Sequence, residues 1–354
     1  MKTVLLTGGT GTFGRFLVRD LLSQDGVRLI LLVRGGSDAE ARARVEKHGA
    51  IPPHTEVFAA DLLQPRLGLS EERYRDLTGR ITHILHSAAS TRFNSPLEEA
   101  RRNNVETTKQ ILAFAKDCGK LVRFGYLSTA FVAGKRIGLI KEDELKHNAG
   151  FNNTYQQSKY EAETLVRTSG LPIVIFRPPF VRSVTEAGQL GNSTDFLSRL
   201  ITLVVAGHIP FVPGTKDSAM DIVNGSDAAG VICQLFLKDN LVHTTYHITN
   251  GTGSLTVGTF HRLMEDEKGE SIPIEYLGDG DEGMRRVREK AKQNPMLEEV
   301  YKRAESFLSE PGYPKIFDNT HTLAELGIQH LGEEPTKILR SIVHNTIALW
   351  NSSK

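Results

Sequence analysis

The sequence predicts an α/β fold built on a doubly wound parallel sheet. Short apolar runs alternate with longer amphipathic stretches, which is the rhythm of strands and helices in such a sheet. The runs are continuously apolar, as expected for strands that helices cover on both faces. A glycine-rich turn follows the first run. The six predicted strands cover residues 3–6, 29–33, 56–59, 83–87, 123–128 and 173–177.

Helical patterns fill the intervals between the strands. They cover residues 13–23, 38–47, 97–118 and 154–168. The rhythm breaks after the sixth strand, and a smaller, mostly helical part is predicted over residues 183–217 and 251–315. Residues 218–250 are expected to return to the sheet domain of residues 1–182, and residues 316–354 to form a C-terminal segment.

The composition excludes several classes of function. The chain has 354 residues, and 43 lysines and arginines against 42 aspartates and glutamates give a net charge of +1. This balance argues against a general nucleic-acid or membrane-surface binder. Cys118 and Cys233 form no disulfide framework, no signal peptide is evident, and no apolar run reaches the length of a membrane span, so we expect a cytoplasmic protein. His243 and His247 flank a strand without a third ligand, so no metal site is predicted.

The turn after the first strand reads TGGTGTFG and places Gly8, Gly11 and Gly14 in a G-x-x-G-x-x-G pattern. Glycine at these positions allows a tight turn, close approach of the backbone to a pyrophosphate, and close packing of helix on strand. The anion would lie at the helix N-terminus, where free N–H groups attract negative charge. Together with Thr12 and Phe13, these glycines are predicted to bind a dinucleotide. The alternative is a glycine-rich turn that binds nothing.

Residues after the second and third strands are predicted to contact the adenosine half of the dinucleotide. A carboxylate at the end of the second strand would bind a ribose 2′-hydroxyl, whereas an arginine can bind a 2′-phosphate. Arg34 occupies this place and Arg15 adds a second positive charge, which favours NADP over NAD. Alternatively, Arg34 is a solvated charge at a strand end. Asp61, beside Leu62, either binds the adenine or caps the turn that follows.

A proton-transfer pair is predicted at the start of the last of these helices. The segment NNTYQQSKYEAE places Tyr155 and Lys159 four residues apart, so both project from one helix face. An ammonium about 4 Å from a phenol, at an effective dielectric of about 20, contributes about 4 kcal/mol. This energy lowers the phenol pKa from about 10 by about 3 units. Tyr155 would then act as a general acid–base; the alternative is a surface Tyr–Lys pair.

Two further polar residues are predicted to support this pair. Thr129 lies at the end of the fifth strand, the edge at which parallel sheets bind ligands. Its hydroxyl can hold a substrate oxygen or, alternatively, bond to backbone. Asn104 lies on the apolar stripe of its helix, where an amide needs partners. A catalytic role and the role of a satisfied core asparagine stay open for Asn104.

These segments together resemble the extended short-chain dehydrogenase/reductase superfamily. The finer match is to its male-sterility-type NAD-binding branch, which contains fatty acyl-CoA reductases and thioester-reductase domains. The resemblance is strong over residues 1–182, looser over residues 218–250, and HSAASTRFNSPL is its most branch-specific part. It is carried by TGGTGTFGRFLVRDLL, LLVRGG, HILHSAASTRFNSPLEEARRNNVETT, YLSTAFVAG, NTYQQSKYEAE and FRPPFV.

The resemblance implies roles for individual residues. Tyr155 would be the general acid–base, and Lys159 would lower its pKa and hold the nicotinamide ribose. Thr129 would orient the substrate, with Ser128 as an assistant. Asn104 would support the active-site backbone and a proton-relay water. The backbone that passes the cofactor is implied at Ala88, Ala89, Pro178, Pro179 and Phe180.

The residues and the resemblance predict an NADP-preferring oxidoreductase that exchanges a hydride between nicotinamide and a carbonyl/alcohol pair in a Rossmann domain, with the smaller part binding the substrate. An acyl thioester or the aldehyde derived from it is the implied substrate. One alternative is an NAD-dependent nucleotide-sugar epimerase or dehydratase, against which Arg34 argues. The other is a non-catalytic NADP-binding sensor, which would not need Tyr155 and Lys159.

Partners are predicted from weaker signals. The basic segment at residues 284–293 either binds the phosphates of coenzyme A or of a carrier phosphopantetheine, or is a solvated helix face balanced by nearby acids. The resemblance also implies a homodimer formed through the helices at 97–118 and 154–168. The sequence therefore leaves open whether the acyl group arrives on coenzyme A or on a carrier protein.

Overall fold

The computed structural model describes residues 1–182 and 196–352. Residues 183–195, with which the predicted substrate-binding part begins, lie outside the described residues. The strands are β1 (Lys2–Thr7), β2 (Val27–Val33), β3 (Glu56–Ala59), β4 (His83–His86), β5 (Arg123–Leu127), β6 (Gly138–Ile140), β7 (Ile173–Arg177), β8 (Phe180–Arg182), β9 (Phe211–Val212), β10 (Ala219–Met220), β11 (Ile222–Asn224), β12 (Thr245–His247), β13 (Leu255–Thr256), β14 (Glu275–Tyr276) and β15 (Lys315–Phe317). The α-helices are α1 (Gly14–Leu22), α2 (Asp38–Glu46), α3 (Glu71–Arg80), α4 (Leu97–Arg101), α5 (Thr107–Asp117), α6 (Thr154–Arg167), α7 (Phe196–Val205), α8 (Gly225–Leu237), α9 (Val257–Lys268), α10 (Gly280–Ala291), α11 (Pro295–Leu308), α12 (Thr320–Leu326) and α13 (Pro335–Ser352).

Seven parallel strands of the described chain form one sheet, in the order β12-β7-β5-β4-β1-β2-β3. The predicted doubly wound α/β class is therefore confirmed, and all six predicted strands belong to this sheet. β12 joins it at the edge beside β7. The strand order reverses between β1 and β4, and ligands of such sheets bind at this switch point, beyond the carboxyl ends of the strands. The glycine-rich turn after β1 lies at that point.

Helices cover both faces of the sheet. On one face, α1 and α8 pack on β1 and β2 through side chains such as Leu17 and Ile232. On the other face, α5 and α6 pack on β4, β5 and β7 through side chains such as Phe114 and Val166. Because both faces are buried, the strands carry apolar residues at nearly every position, which is the pattern that the sequence showed.

The helical part has a hydrophobic core of its own. Side chains of α7, α9, α10, α11 and α13 form it, among them Ile201, Leu263, Val287 and Leu339. The final helix α13 packs on α7 and α9, whereas α12 lies beside β12. The segment predicted over residues 316–354 is thus shared between the helical core and the edge of the sheet.

The predicted helix at residues 97–118 is interrupted. It consists of α4, a π-helical turn over Arg102–Glu106, and α5. The hydroxyls of Thr107 and Thr108 donate to the carbonyls of Asn103 and Asn104, at 2.7 and 2.6 Å, and these bonds accompany the widened turn. Single π-helical turns within α-helices often occur at functional sites. Here the turn contains the predicted site residue Asn104.

A buried ion pair fastens α6 to the sheet. Glu163 of α6 and Arg177 at the end of β7 are almost wholly inaccessible to solvent, and two hydrogen bonds of 3.0 and 2.5 Å join their side chains. Burial alone would raise the pKa of Glu163, but the charge and hydrogen bonds of Arg177 lower it to about 2. Arg167 adds a second cation, at 2.9 Å. The carboxylate is therefore charged at neutral pH and fully paired.

We expect Glu163→Gln to lower the free energy of unfolding by about 3–5 kcal/mol, because it leaves Arg177 buried without a counter-charge. Glu161→Gln is the matched control on the same helix. It removes the partially exposed pair of Glu161 with Arg101, and should cost less than about 1 kcal/mol. Urea unfolding of the three proteins measures both changes. Similar losses in the two variants would contradict the role given to the buried pair.

Candidate active site

The glycine loop closes tightly against its neighbours. A Cβ atom on Gly8, whose φ is +78°, would lie 2.6 Å from the backbone nitrogen of Ala88, and one on Gly14 would lie 2.0 Å from the carbonyl oxygen of Gly8. The residue before α1, Phe13, makes no side-chain cap to the helix. The N–H groups of Arg15 and Phe16 donate to the carbonyls of Gly11 and Phe13, at 3.2 and 3.1 Å, so the loop winds directly into the helix N-terminus, the end of a helix that attracts an anion. This cradle fits the pyrophosphate of a dinucleotide.

Other predicted cofactor residues surround the loop. Gly11 and Thr12 are exposed, and Phe13 is half-buried against the sheet core. Arg15 is half-buried with its guanidinium 5.0 Å from the ring centroid of Phe16. A cavity of about 680 Å³ opens beside the loop. Its wall includes Gly9 and four side chains that can carry positive charge, Arg15, Arg19, Lys47 and His48.

The residues predicted to contact adenosine lie at the carboxyl edge of the sheet. Arg34 is exposed just beyond the end of β2. Asp61 follows β3, and its carboxylate accepts a hydrogen bond of 3.0 Å from the N–H of Leu63. The structure thus displays the turn-capping alternative for Asp61. A contact of Asp61 or the half-buried Leu62 with adenine stays a prediction.

The backbone segments implied by the resemblance also lie at this edge. Ala88 is half-buried, and its N–H donates to Thr7 at the end of β1, at 3.3 Å, while Ala89 is exposed. Pro178 is buried just after β7. The ring of Phe180 packs on that of Phe131, with centroids 4.6 Å apart. Ala88 and Ala89 follow β4, and Pro178 and Phe180 follow β7, two strands that end at one edge of the sheet.

The structure brings Tyr155 and Thr129 together. Tyr155 lies in the first turn of α6, which Asn153 caps by accepting from the N–H of Gln156 at 2.9 Å. The hydroxyls of Tyr155 and Thr129 lie beside each other. Thr129 itself donates to the carbonyl of Pro178, at 3.3 Å, and its oxygen accepts from the N–H of Phe131, also at 3.3 Å.

The predicted decrease in the pKa of Tyr155 is wrong, because the pKa is raised. Burial raises the pKa of Tyr155 to about 12, and the neighbouring hydroxyl of Thr129 only partly opposes this effect. Lys159 does not lower it, since its ammonium donates instead to the hydroxyl of Tyr126 and to the carbonyl of Leu127, both at 2.7 Å. Sequence spacing placed both groups on one helix face, but the lysine stem reaches past the phenol to β5. Tyr155 therefore holds its proton at neutral pH, as a proton donor must.

Lys159 is buried, and its pKa is lower than that of an ordinary lysine. Its side chain is 2% exposed, and burial lowers its pKa to about 7, while the charge of Glu163 acts in the opposite direction. Two of its three N–H donors are satisfied by Tyr126 and Leu127. The ammonium is thus held in one place, with one donor left over.

Ser128 is not placed to assist with a substrate. Its hydroxyl donates to Glu163 at 2.6 Å and so belongs to the buried ion pair. The implied role of Ser128 as an assistant is therefore wrong, because its hydrogen is committed to a carboxylate behind the site. Thr129, the next residue, points the other way, as side chains of consecutive residues do in extended chain.

Asn104 is a satisfied core asparagine that ties two parts of the site together. Its amide nitrogen donates to the carbonyl of Ser90, at 3.0 Å, and to the hydroxyl of Ser158, at 2.9 Å. Its amide oxygen accepts from the N–H of Ser90, at 2.7 Å. Asn104 thus joins the loop after β4 to the turn of α6 that carries Lys159. Participation in a proton relay stays a prediction.

The basic segment of α10 is paired with acids. Arg285 bonds Glu282, and Arg288 bonds Glu305, at 2.7 and 2.6 Å. The alternative of a solvated helix face therefore describes these side chains better than a phosphate site. The acids that pair with the basic segment lie outside it, in α11 and in the first turn of α10, so the segment by itself did not reveal these pairs.

Sequence reasoning missed Tyr126, which holds Lys159. The residue lies three positions before Thr129 in β5 and is 1% exposed. A tyrosine in a strand buried on both faces needs a hydrogen-bond partner for its hydroxyl, and this was the available signal. The partner itself depends on how α6 packs over β5, which no local pattern reveals.

Residues 1–182 and 196–352 contain no group of three His, Cys, Asp or Glu side chains placed to hold a metal ion. In the same residues, no helix has the combination of length and apolar composition that crossing a membrane requires. Cys118 and Cys233 are buried free thiols. Burial raises the pKa of Cys118 to about 12, so this thiol stays protonated and is no nucleophile.

Comparisons with known proteins agree with this site. The family described as Male sterility protein, a group of NAD-binding domains, matches residues 6–229. One of the linear gramicidin synthase proteins of Brevibacillus parabrevis is 26% identical over a gapped alignment of 361 positions, which covers 96% of this chain and 7% of that protein. Carboxylic acid reductase of Mycobacterium marinum is 30% identical over a gapped alignment of 242 positions, which covers 59% of this chain and 20% of that protein. The solved terminal R domain from the myxalamid PKS-NRPS biosynthetic pathway has 25% identity and a TM-score of 0.77, with 100% of this chain and 91% of that chain covered.

The fold and these matches define a class, the NAD-binding domains of the extended short-chain dehydrogenase type, and the relatives named above include a carboxylic acid reductase. The chain belongs to the Male sterility protein family, whose match covers more than half of it. The predicted resemblance is therefore confirmed. The chain spans only 7% and 20% of the lengths of the two curated relatives named above.

The pKa of Lys159 leads to a prediction about stability. Lysine in an unfolded chain has a pKa of about 10.4, whereas that of Lys159 is about 7 in the folded protein. Between these values the unfolded chain binds the extra proton, so the free energy of unfolding rises with pH by up to about 1.4 kcal/mol per unit. Lys159→Met should lack this rise.

Urea unfolding from pH 6.5 to 9.5 tests the prediction. The free energy of unfolding of the wild type should increase relative to that of Lys159→Met as the pH increases. Lys109→Met is the control, because Lys109 pairs with Glu106 at the surface, and it should follow the wild-type curve. Parallel curves for the wild type and Lys159→Met would show that Lys159 keeps an ordinary pKa.

Proposed function

We propose that this protein is an NADP-preferring reductase that acts on the carbonyl of an acyl thioester or of the aldehyde derived from it. The observation that carries the proposal is the protonated Tyr155, whose hydroxyl lies beside that of Thr129 at the edge of the sheet where the glycine loop begins. The bound dinucleotide would supply the hydride. The chain would supply the proton and hold the carbonyl in place.

Tyr155 is proposed as the general acid. A carbonyl oxygen that enters between the hydroxyls of Tyr155 and Thr129 would receive a hydrogen bond from Tyr155. As negative charge develops on the carbonyl oxygen, its proton affinity rises and the proton of Tyr155 transfers to it. Lys159, with one donor left, would bind the nicotinamide ribose and stabilise the tyrosinate that remains.

The preference for NADP rests on positive charge near the loop. Arg34 stands where a carboxylate would bind the ribose 2′-hydroxyl of NAD. Arg15 lies one residue after Gly14, and it lines a cavity whose wall is otherwise rich in cationic side chains. A 2′-phosphate adds negative charge at this place, and arginine binds phosphate with two parallel hydrogen bonds.

The substrate class is inferred from relatives. Two of these relatives, the gramicidin synthase and the R domain of a PKS-NRPS pathway, are named as parts of biosynthetic assembly lines. The third is named for the reduction of carboxylic acids. An acyl group on a carrier protein or on coenzyme A is therefore the proposed substrate, with the thiol released as the carbonyl carbon is reduced. A homodimer through α4–α6 and a cytoplasmic location stay predictions.

Tyr155→Phe tests the proton donor. We expect the variant to keep its Kd for NADPH within about twofold, and to lose turnover by about 10²–10⁴-fold, the usual contribution of a general acid. Tyr160→Phe, on the next turn of α6, keeps its ring contacts with His147 and Phe151 and should keep wild-type turnover. The assay follows NADPH oxidation with acyl-CoAs, aldehydes, ketones and nucleotide sugars as candidate substrates.

Retained turnover in Tyr155→Phe would reject the assignment of the general acid. Activity on nucleotide sugars alone, without net NADPH oxidation, would favour the epimerase or dehydratase alternative. NADPH binding without turnover of any substrate by the wild type would favour the non-catalytic sensor.

Arg34→Ala tests the cofactor preference. Loss of a charge-assisted hydrogen bond to the 2′-phosphate should weaken NADPH binding by about 10–100-fold, since such bonds contribute about 1.5–3 kcal/mol, and should leave NADH binding unchanged. Arg28→Ala, at the other end of the same strand and paired with Glu56, should alter neither constant. Equal wild-type affinity for NADH and NADPH would refute the phosphate argument.

A further inference from the structure

A buried hydrogen-bond chain begins at the ammonium of Lys159. The ammonium donates to the hydroxyl of Tyr126 at 2.7 Å, and the hydroxyl of Thr108 in α5 lies beside that of Tyr126. Thr108 donates in turn to the carbonyl of Asn104, at 2.6 Å, in the π-helical turn. Tyr126 and Thr108 are each 1% exposed. Helix α5, which packs on one face of the sheet, thus contacts Tyr126, a partner of Lys159, through Thr108.

The chain continues across the sheet to the glycine loop. Thr108 also contacts Nε2 of His86, at 3.3 Å, and Nδ1 of His86 contacts the hydroxyl of Thr7, at 2.7 Å. Thr7 is the last residue of β1, and its oxygen accepts from the N–H of Ala88. His86 and Thr7 are fully buried. One chain therefore joins the lysine of the site to the start of the cofactor cradle.

The positions of two hydrogens follow from these partners. Since Thr108 gives its single hydrogen to the carbonyl of Asn104, its oxygen must accept from Nε2 of His86. His86 then carries its hydrogen on Nε2, and its Nδ1 accepts from Thr7. This tautomer requires a neutral ring, and burial, together with the charge of Lys159, lowers the pKa of His86 to about 3. Because an ammonium only donates, Tyr126 presents a lone pair, not a hydrogen, to it.

We propose that Tyr126 is a positioning residue that fixes the ammonium of Lys159 for the ribose and for Tyr155, and that the chain behind it couples this position to the glycine loop. The proposal rests on the proposed function. Tyr126 and Leu127 take two N–H donors of Lys159 and aim the third. The chain ends at the N–H of Ala88 and the carbonyl of Asn104, both backbone groups, so it orients side chains and does not deliver protons.

The groups that face Lys159 determine what a variant will do. Glu163, one turn further along α6, favours the ammonium. His86 of β4 is neutral, and Tyr126 of β5 accepts from the ammonium, while Tyr155 keeps its proton. Removal of the Tyr126 hydroxyl thus takes away one hydrogen bond to the charged form and leaves the carboxylate of Glu163 unchanged. Protonated Lys159 should become less stable.

Tyr126→Phe keeps the ring and removes only this hydroxyl. We expect the midpoint of the Lys159 titration to fall by about one to two pH units, the size of a hydrogen bond to a charged group. NMR of protein labelled with ¹⁵N at the lysine side chains measures the midpoint, and the spectrum of Lys159→Met identifies the signal. The alkaline limb of the kcat/KM profile for NADPH oxidation should move to lower pH by the same amount.

Tyr74→Phe is the matched control, because it removes a tyrosine hydroxyl that bonds Asp117 at the surface, and it should leave both midpoints unchanged. Thr108→Val removes the link behind Tyr126 and should shift the Lys159 midpoint in the same direction, by a smaller amount. An unchanged midpoint in both Tyr126→Phe and Thr108→Val would overturn the proposal. The NMR titration needs no turnover, so this result is distinct from failure of the proposed function, which would appear as a wild type that oxidises no NADPH.

Discussion

The ion pair between Glu163 and Arg177 is the interaction on which the arrangement of the site depends. It joins the middle of α6 to the end of β7, and Ser128 extends it to the end of β5. Two buried charges are expensive to desolvate, and they persist where geometry and additional hydrogen bonds compensate. Because α6 is fixed in this way, Tyr155 and Lys159 in its first turns lie over the carboxyl ends of the strands and not over their sides.

The same helix is held at its N-terminus by the helical part of the molecule. Glu310, in the turn after α11, accepts from the amide groups of Asn152 and Gln156, on either side of the α6 cap, and pairs with Lys315. The turn that carries Tyr155 is therefore clamped between the sheet and the second core. A substrate that packs against the helical part would thus act on the same segment of backbone that positions the proton donor.

The fold could be predicted from sequence because its signals are local. Continuous apolar strands, amphipathic helices and the glycine turn are each complete within a few residues, and all of them appear in the structure. The sequence predicted that Tyr155 and Thr129 lie together, as they do in the structure, but it did not predict the electrostatics of Tyr155 and Lys159. Spacing on a helix placed Lys159 beside Tyr155, whereas the packing of α6 on β5 turns the ammonium to Tyr126 and leaves the phenol pKa raised by burial. Likewise, the hydroxyl of Ser128 donates to Glu163, a partner 35 residues away in the sequence.

The most direct test of the account is a crystal structure of the protein with NADPH bound. We expect the pyrophosphate at the loop from Gly8 to Gly14, and the nicotinamide between Pro178 and Tyr155. One carbonyl group should then be able to contact both the reactive carbon of the nicotinamide and the hydroxyl of Tyr155, with Lys159 on the ribose. A dinucleotide bound away from this loop, or a nicotinamide from which Tyr155 and Lys159 are turned away, would contradict it.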